Sequence, residues 1–438
     1  MKQILGLFLI SFPVIIFAQQ KGIALPPPAK HTCLTADEIR TFRNEIIAAK
    51  AAYYATHTEA IPKKNAPTAH LLLGWPMRAN SDYDFQYNYF NLQNYVDQTR
   101  PGSGIQDYRC NDRTYDGHDA QDINLYPFWW RMMDNNHVMA VAAAPGTILR
   151  KASTNFDRNC TQTGSANYVS ILHADGTVTS YLHLKANSLT TKNAEEEVVQ
   201  GEFLGFIGSS GRSSNPHLHF SVYDPSDNLI EPFFEAGQCN NLNSESWWQD
   251  QRAYWEPQIN RLMTHSAPPT PDLFCPSDEV VNAKNQFGSG EVIYTGMAFM
   301  DGQNGDEADC TLSRPDGTTH SSWTVKLNQT NSRQYKTNAF LLPSGNTGTW
   351  TFRATYRGRV YAHFFTVGCK DNESPSGSGS GNDGYITGNY ISSTKTHTGG
   401  SNSKVLYQAA NYIELRPGFE ARAGIHFKAR IKQCNYAE

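Results

Sequence analysis

The sequence has little charge and no excess of either sign. Charged residues make up 18% of its 438 positions, and 37 Lys+Arg against 41 Asp+Glu leave a net charge of -4. Ordinary globular chains carry about 25%, so a charge-rich coiled coil or an acidic disordered chain does not fit. A nucleic-acid binder that relies on a basic surface is excluded as well. None of the cysteines, at 33, 110, 160, 239, 275, 310, 369 and 434, forms a C-x-x-C pair, which argues against a cysteine-ligated zinc site. Past Phe17 there is no long apolar run, and a bilayer span takes about 20 apolar residues. What the chain does have is aromatic bulk, with 22 Tyr, 22 Phe and 8 Trp, the material of β-rich cores. At roughly 150 residues per domain, about three domains are expected.

Met1-Lys2, the apolar run Ile4 to Phe17 and then Ala18-Gln19-Gln20 read as a secretory signal peptide cleaved after Ala18. The mature chain is therefore expected to be secreted, periplasmic or at the cell surface, with no stable membrane span, and its even cysteine count favours disulfides. Eight cysteines allow about a hundred pairings; Cys110 with Cys160 is the favoured one, because both flank the same presumptive β-core. Thr35 and Glu38 have capping-box spacing, and Ile39, Phe42, Ile46 and Ile47 follow at helical intervals, which predicts an amphipathic helix over 36–56.

The organisation expected is a signal peptide at 1–18, an N-terminal helical segment at 19–67 and a domain carrying the chemistry at 68–240. A linker region at 241–274 and an immunoglobulin-like β-sandwich at 275–370 follow. Pro375 to Gly381 has the composition of a flexible linker, placed at 371–384, and a small β-stack module occupies 385–438. In the chemistry-bearing part, the runs Tyr168 to His173 and Thr177 to Leu184 flank Asp175-Gly176, a favoured hairpin turn. Alternating Trp350-Thr351-Phe352-Arg353-Ala354-Thr355-Tyr356 is typical of a sandwich strand.

Four histidines occupy informative contexts. Asn215-Pro216-His217-Leu218-His219-Phe220 reads as a strand, in which residues two apart share a face, so His217 and His219 project together. Gly117-His118-Asp119-Ala120-Gln121-Asp122 places a histidine four residues before a carboxylate. Two nitrogens and one oxygen make three protein ligands and leave a fourth position open, the pattern of a catalytic zinc site. Ser180-Tyr181-Leu182-His183-Leu184 ends a strand with a further imidazole.

In chain order, with Val199-Gln200-Gly201-Glu202-Phe203-Leu204-Gly205-Phe206-Ile207-Gly208 between the His183 and His217 elements, these elements resemble the lysostaphin-type zinc metallopeptidases over residues ~70 to 235. That family has H-x(3)-D, Y-x-H-L, a V-x-x-G-x-x-(L/I)-G stretch and H-L-H-F. The resemblance implies one zinc ion per chain held by His118, Asp122 and His219, with His217 and His183 as catalytic histidines that activate water and stabilise the transition state. Tyr181 either positions substrate or packs in the core. Ala120 stands where the family has Gly, a small change unless that position needs positive φ. Tyr126-Pro127-Phe128-Trp129-Trp130 either lines the groove or packs, and Asp116 and Asp119 are expected to be solvated. The C-terminal Ile413-Glu414-Leu415-Arg416-Pro417-Gly418-Phe419 pattern resembles a small β-stack module of secreted Bacteroidetes proteins.

The fold class expected is mainly β: an antiparallel β-sheet metallopeptidase domain with an N-terminal helix, then a β-sandwich and a small C-terminal β module. The function implied is zinc-dependent hydrolysis of peptide bonds, in peptidoglycan cross-bridges by family analogy. Glycine-rich extracellular proteins are the alternative substrate, and an inactive scaffold is the alternative class. Metal analysis of the purified protein should return one zinc per chain, and His219→Ala should lose it.

Overall fold

The computed structural model describes residues 34–62, 70–84, 86–271, 275, 279–400 and 403–434. The expected signal peptide, Cys33 and residues 63–67 lie outside the described residues. The molecule is mainly β with antiparallel sheets and one long helix near its N-terminus. Among the described residues, no helix is long and apolar enough to cross a membrane.

The sheet that carries the site runs in the order Phe90–Asn94, Gln121–Leu125, His217–Tyr223, Val178–Leu182, Tyr168–Leu172, Gly146–Ala152 and Glu197–Val198. All neighbours along it are antiparallel. Strand alternation divides His217–Tyr223 between two faces. Leu218, Phe220 and Val222 enter the main apolar core with Ile123, Trp129 and Trp248. His217, His219, Ser221 and Tyr223 take the opposite face. The hairpin expected around Asp175-Gly176 forms, with Gly176 at φ 92° and its amide bonded to the His173 carbonyl. That left-handed conformation favours glycine.

The helix spans Ala36–Thr56 and begins on the expected capping box. The Glu38 amide donates to Thr35 Oγ1 at 3.2 Å, and the Thr35 amide donates to Glu38 Oε2 at 2.7 Å. Its apolar side, including Phe42, Ile46 and Tyr53, packs on Leu149, Leu172, Val178 and Tyr223. Lys50 anchors it to Asp227 at 2.8 Å. The helix therefore lies on the same sheet face as the paired histidines.

Three expectations need correction. Cys110 pairs with Cys239 rather than Cys160, and Cys160 pairs with Cys275. The loop bearing Cys110 folds toward the segment after the sheet, where Arg109 meets Glu235 at 3.0 Å, so flanking one core in sequence does not make two cysteines neighbours. The region 241–274 is not simply a linker, because Gln258–His265 is a strand paired with Val292–Gly302 in the sandwich. The Gly-Ser segment within 371–384 is not a free linker either. Asn372–Glu373, Ser378–Gly379 and Asp383–Thr387 form the first turn of a three-turn parallel coil whose later turns supply hydrogen-bond partners. Small residues suit this packing: a Cβ on Gly384 would lie 2.4 Å from the Phe364 ring.

The sandwich has a three-stranded sheet, Gln258–His265, Val292–Gly302 and Asn331–Leu341. Facing it is a five-stranded sheet of Gln286–Phe287, Arg359–Val367, Gly348–Tyr356, Glu307–Ser313 and Thr319–Lys326. Trp350, Phe352, Ala354 and Tyr356 all point into its core, as their alternation predicts. It joins the first sheet through a buried ion pair, Arg113 to Asp301 at 2.9 Å. Burial raises the Asp301 carboxyl to about 6, against the opposing pull of Arg113. The C-terminal coil docks on the sandwich through Ala362, Phe364, Ile386 and Leu406 and through the Cys369–Cys434 disulfide.

Truncation after Asp371 leaves Cys369 unpaired and Phe364 uncovered. We expect the melting temperature to fall by several degrees, as the loss of one disulfide worth ~2–5 kcal/mol implies, while zinc content and cleavage of a small soluble peptide persist. Calorimetry beside a peptide assay measures both.

Candidate functional site

Register, more than proximity in sequence, assembles the site. His219 stands opposite Asp122 on one neighbouring strand and opposite Leu182 on the other, and Asn94 stands opposite Asp122. His118 enters from the loop just before Gln121–Leu125. One potential ligand atom from each of His118, Asp122 and His219 lies within 4.8 Å of the others. His217 is two residues from His219 on the same face, and its ring centroid is 4.6 Å from that of His183.

His183 arrives by a route that alternation does not predict. It follows the end of Val178–Leu182 and has φ 65°, so its ring turns off the face of Tyr181 and joins His217 and His219. Tyr181 is thereby separated from the site. It pairs with Phe220 on the core face, is fully buried, and its hydroxyl accepts from the Ala143 amide at 2.7 Å. Of the two readings for Tyr181, packing is the one its surroundings support, and a substrate contact is not.

Backbone carbonyls fix three of the imidazoles. Nδ1 of His118 lies 2.8 Å from the Tyr95 carbonyl, Nδ1 of His217 2.8 Å from that of Asn215, and Nδ1 of His183 2.7 Å from that of Ser210. A carbonyl can only accept, so each Nδ1 carries the proton and each Nε2 turns a lone pair toward the centre. His183 is held well below its ordinary range, first by burial and then by His217 and His219, and is neutral. Asp122 is held well below the carboxylate range although burial alone would raise it, because the imidazoles of His118 and His217 lie against it. Burial would lower His219, but the Asp119 and Asp122 carboxylates facing its two nitrogens outweigh it and raise the ring to about 9.

The donor set suits a cation. Nε2 of His118 is buried, lies 3.1 Å from Asp122 Oδ2 and makes no hydrogen bond; Nε2 of His183 is buried and unbonded too. Leaving such atoms unsatisfied costs ~1–3 kcal/mol each. A divalent ion between two imidazoles and one carboxylate would satisfy the first and offset the buried negative charge.

Other expectations sort as follows. Ala120 is buried without positive φ, so its methyl is accommodated. His173 is structural, its two nitrogens held by the Pro145 carbonyl at 2.8 Å and Thr179 Oγ1 at 2.9 Å. Tyr126 and Phe128 pack against the sandwich residues Met263 and Tyr335, and Trp129 and Trp130 fill the main core, so this aromatic stretch does not line a groove. Asp116 is exposed. Asp119 is not solvated as expected: it is buried, with Oδ1 3.2 Å from His219 Nε2 and Oδ2 accepting from the Tyr223 hydroxyl at 3.1 Å. Sequence reasoning also missed Asn94, whose amide donates to Asp122 Oδ2 at 2.9 Å. No local motif signals Asn94, because the contact is across strands.

An antiparallel sheet thus holds a His–Asp–His cluster that could bind a divalent metal, with the imidazoles of His183 and His217 beside it. Residues 130–232 match the model of Peptidase family M23, and over that stretch the resemblance to lysostaphin-type metallopeptidases is borne out. The match includes His183, His217 and His219 but begins after His118 and Asp122. Over 103 residues, 22% of its length, the chain is 39% identical to the DD-carboxypeptidase/endopeptidase Mpg of Neisseria meningitidis serogroup B, covering 23% of that protein. Over 79 residues, 18% of its length, it is 34% identical to the peptidoglycan DD-endopeptidase ShyC of Vibrio cholerae, covering 16%. The chain thus spans a quarter or less of the length of these relatives. The lysostaphin catalytic domain of Staphylococcus simulans is a structural neighbour with 17% identity and a TM-score of 0.21, covering 35% of this chain and 96% of that one.

Ligand and non-ligand histidines should separate experimentally. His217→Ala is expected to keep its metal and lose turnover by about 10²–10⁴-fold, the usual worth of general acid–base help, whereas His118→Ala should lose both. Metal content and peptide hydrolysis measured on the same preparations give the comparison.

Proposed function

We propose that the chain is a zinc-dependent endopeptidase acting outside the cytoplasm on the peptide part of peptidoglycan. The observation that carries this reading is the convergence of His118, Asp122 and His219 with the imidazoles of His183 and His217, in a chain whose residues 130–232 match the M23 family model. The names of its peptidoglycan-cleaving relatives support the substrate class. The apolar N-terminal run of the sequence supports the location.

Zinc held by His118, Asp122 and His219 would supply a Lewis acid that polarises the scissile carbonyl and makes water a stronger acid. The protein's own groups then handle the protons. His217, its Nδ1 committed to the Asn215 carbonyl, takes the proton of the attacking water at Nε2 and delivers it to the departing amine. His183 in its resting tautomer also has a lone pair at Nε2, so it can stabilise an oxyanion only after gaining a proton there. Asp122 stays anionic throughout, and Asn94 fixes one of its oxygens.

Purified peptidoglycans of different cross-bridge chemistry, digested and read by product mass, test the proposal. The expected outcome is release of peptides cut at one type of bond, abolished by His217→Ala and by chelation. Intact peptidoglycan alongside cleavage of a glycine-rich protein would move the substrate to extracellular protein, and no cleavage of either would leave a binding scaffold.

A further inference from the structure

Asp119 is a residue that the proposed reaction does not use, and its environment is unusual. It sits between the first ligand and the strand that carries the second, and it is 3% exposed. A carboxylate is not buried there without compensation, because removing it from water is costly unless it is paired and hydrogen-bonded. Its two oxygens have different partners. Oδ1 lies 3.2 Å from Nε2 of His219, at ion-pair distance though short of straight hydrogen-bond geometry. Oδ2 accepts from the Tyr223 hydroxyl at 3.1 Å.

The His219 ring is consequently bracketed by two carboxylates. Its Nδ1 faces Asp122 Oδ1 at 3.2 Å and its Nε2 faces Asp119. Both nitrogens cannot serve a cation. The one pointing at Asp122 and His118 belongs to the cluster, so the other must hold the proton for Nδ1 to present a lone pair. A carboxylate behind Nε2 enforces that tautomer and makes the opposite nitrogen a better donor. His219 needs such a device more than its neighbours do, because His118, His217 and His183 already have backbone carbonyls on Nδ1.

We infer that Asp119 is a positioning residue for His219, oriented in turn by Tyr223, and that the pair sets the metal affinity of the site. This rests on the metallopeptidase reading above. The support extends outward: Tyr223 shares the strand face of His219, packs with Ile46 of the N-terminal helix, and lies under the Arg43 guanidinium at 5.9 Å. The helix therefore braces the hydroxyl that braces the carboxylate.

The test uses the full chain and zinc itself, titrated in competition with a chromogenic chelator, with cobalt(II) spectra and the melting temperature of the metal-free protein recorded in parallel. Asp119→Ala should weaken zinc binding about 10- to 100-fold. The isosteric Asp119→Asn keeps an acceptor and loses the charge, so it should fall between Asp119→Ala and the parent. Tyr223→Phe should give a smaller loss in the same direction. The cobalt spectrum should shift in the Asp119 variants while the metal-free melting temperature of Asp119→Asn stays at the parent value. Parent-like zinc affinity in both Asp119 variants overturns the inference, as does a loss that merely tracks a lower melting temperature. If the parent chain itself binds no zinc, the metallopeptidase reading fails and this one falls with it, an outcome distinct from a parent that binds and variants that bind equally well.

Discussion

The constraint on which the site depends is the pairing register of His217–Tyr223 with its two neighbours. Side chains on a strand alternate with period two, so a slip of one residue would exchange every group on one face for those on the other. In the observed register His219 meets Asp122, and Leu218 and Phe220 meet the core. A slipped strand would present Leu218 and Phe220 to Asp122 and bury two imidazoles among Ile123, Trp129 and Trp248. Apolar packing on one side of the sheet thus enforces polar chemistry on the other.

Register alone does not finish the job, since an imidazole in place still has two tautomers. Here the choice is made by main-chain atoms for three rings and by a carboxylate for the fourth. The carbonyls belong to Tyr95, Asn215 and Ser210, which lie in separate stretches of the chain. Proton placement is therefore a property of the whole domain fold, and it is set before any substrate arrives.

This division explains what could be read from the sequence. The pairing of His217 with His219, the hairpin through Asp175-Gly176, the capped helix at 36–56 and the sandwich alternation around Trp350 all rest on short-range periodicity, and they were legible. Asn94, the burial of Asp119 and the exclusion of Tyr181 were not. They depend on cross-strand partners or, for Tyr181, on the positive φ of His183, which breaks the alternation that would have grouped the two. Composition misled at Pro375 to Gly381, where glycine and serine suggest a tether. Parallel neighbours instead turn the segment into sheet, with space only for a glycine at Gly384 beside Phe364. Disulfide pairing was illegible for a related reason: Cys110 and Cys239 are 129 residues apart and meet only after the loop at 101–117 has folded.

The attachment of the C-terminal coil has a mechanical consequence. A module on a slack leash sweeps a volume whose radius follows the length of its leash. This coil is fastened at two places, to the sandwich through Phe364 and Cys369, and to the first domain through Asp84, which takes Lys428 at 3.2 Å and Arg430 at 3.4 Å. Any surface gripped by the coil would be presented to the histidine cluster at one height and one angle. The tail would then act as a gauge, and what lies within reach of the cluster would be set by the stand-off between coil and sheet and not by diffusion on a tether.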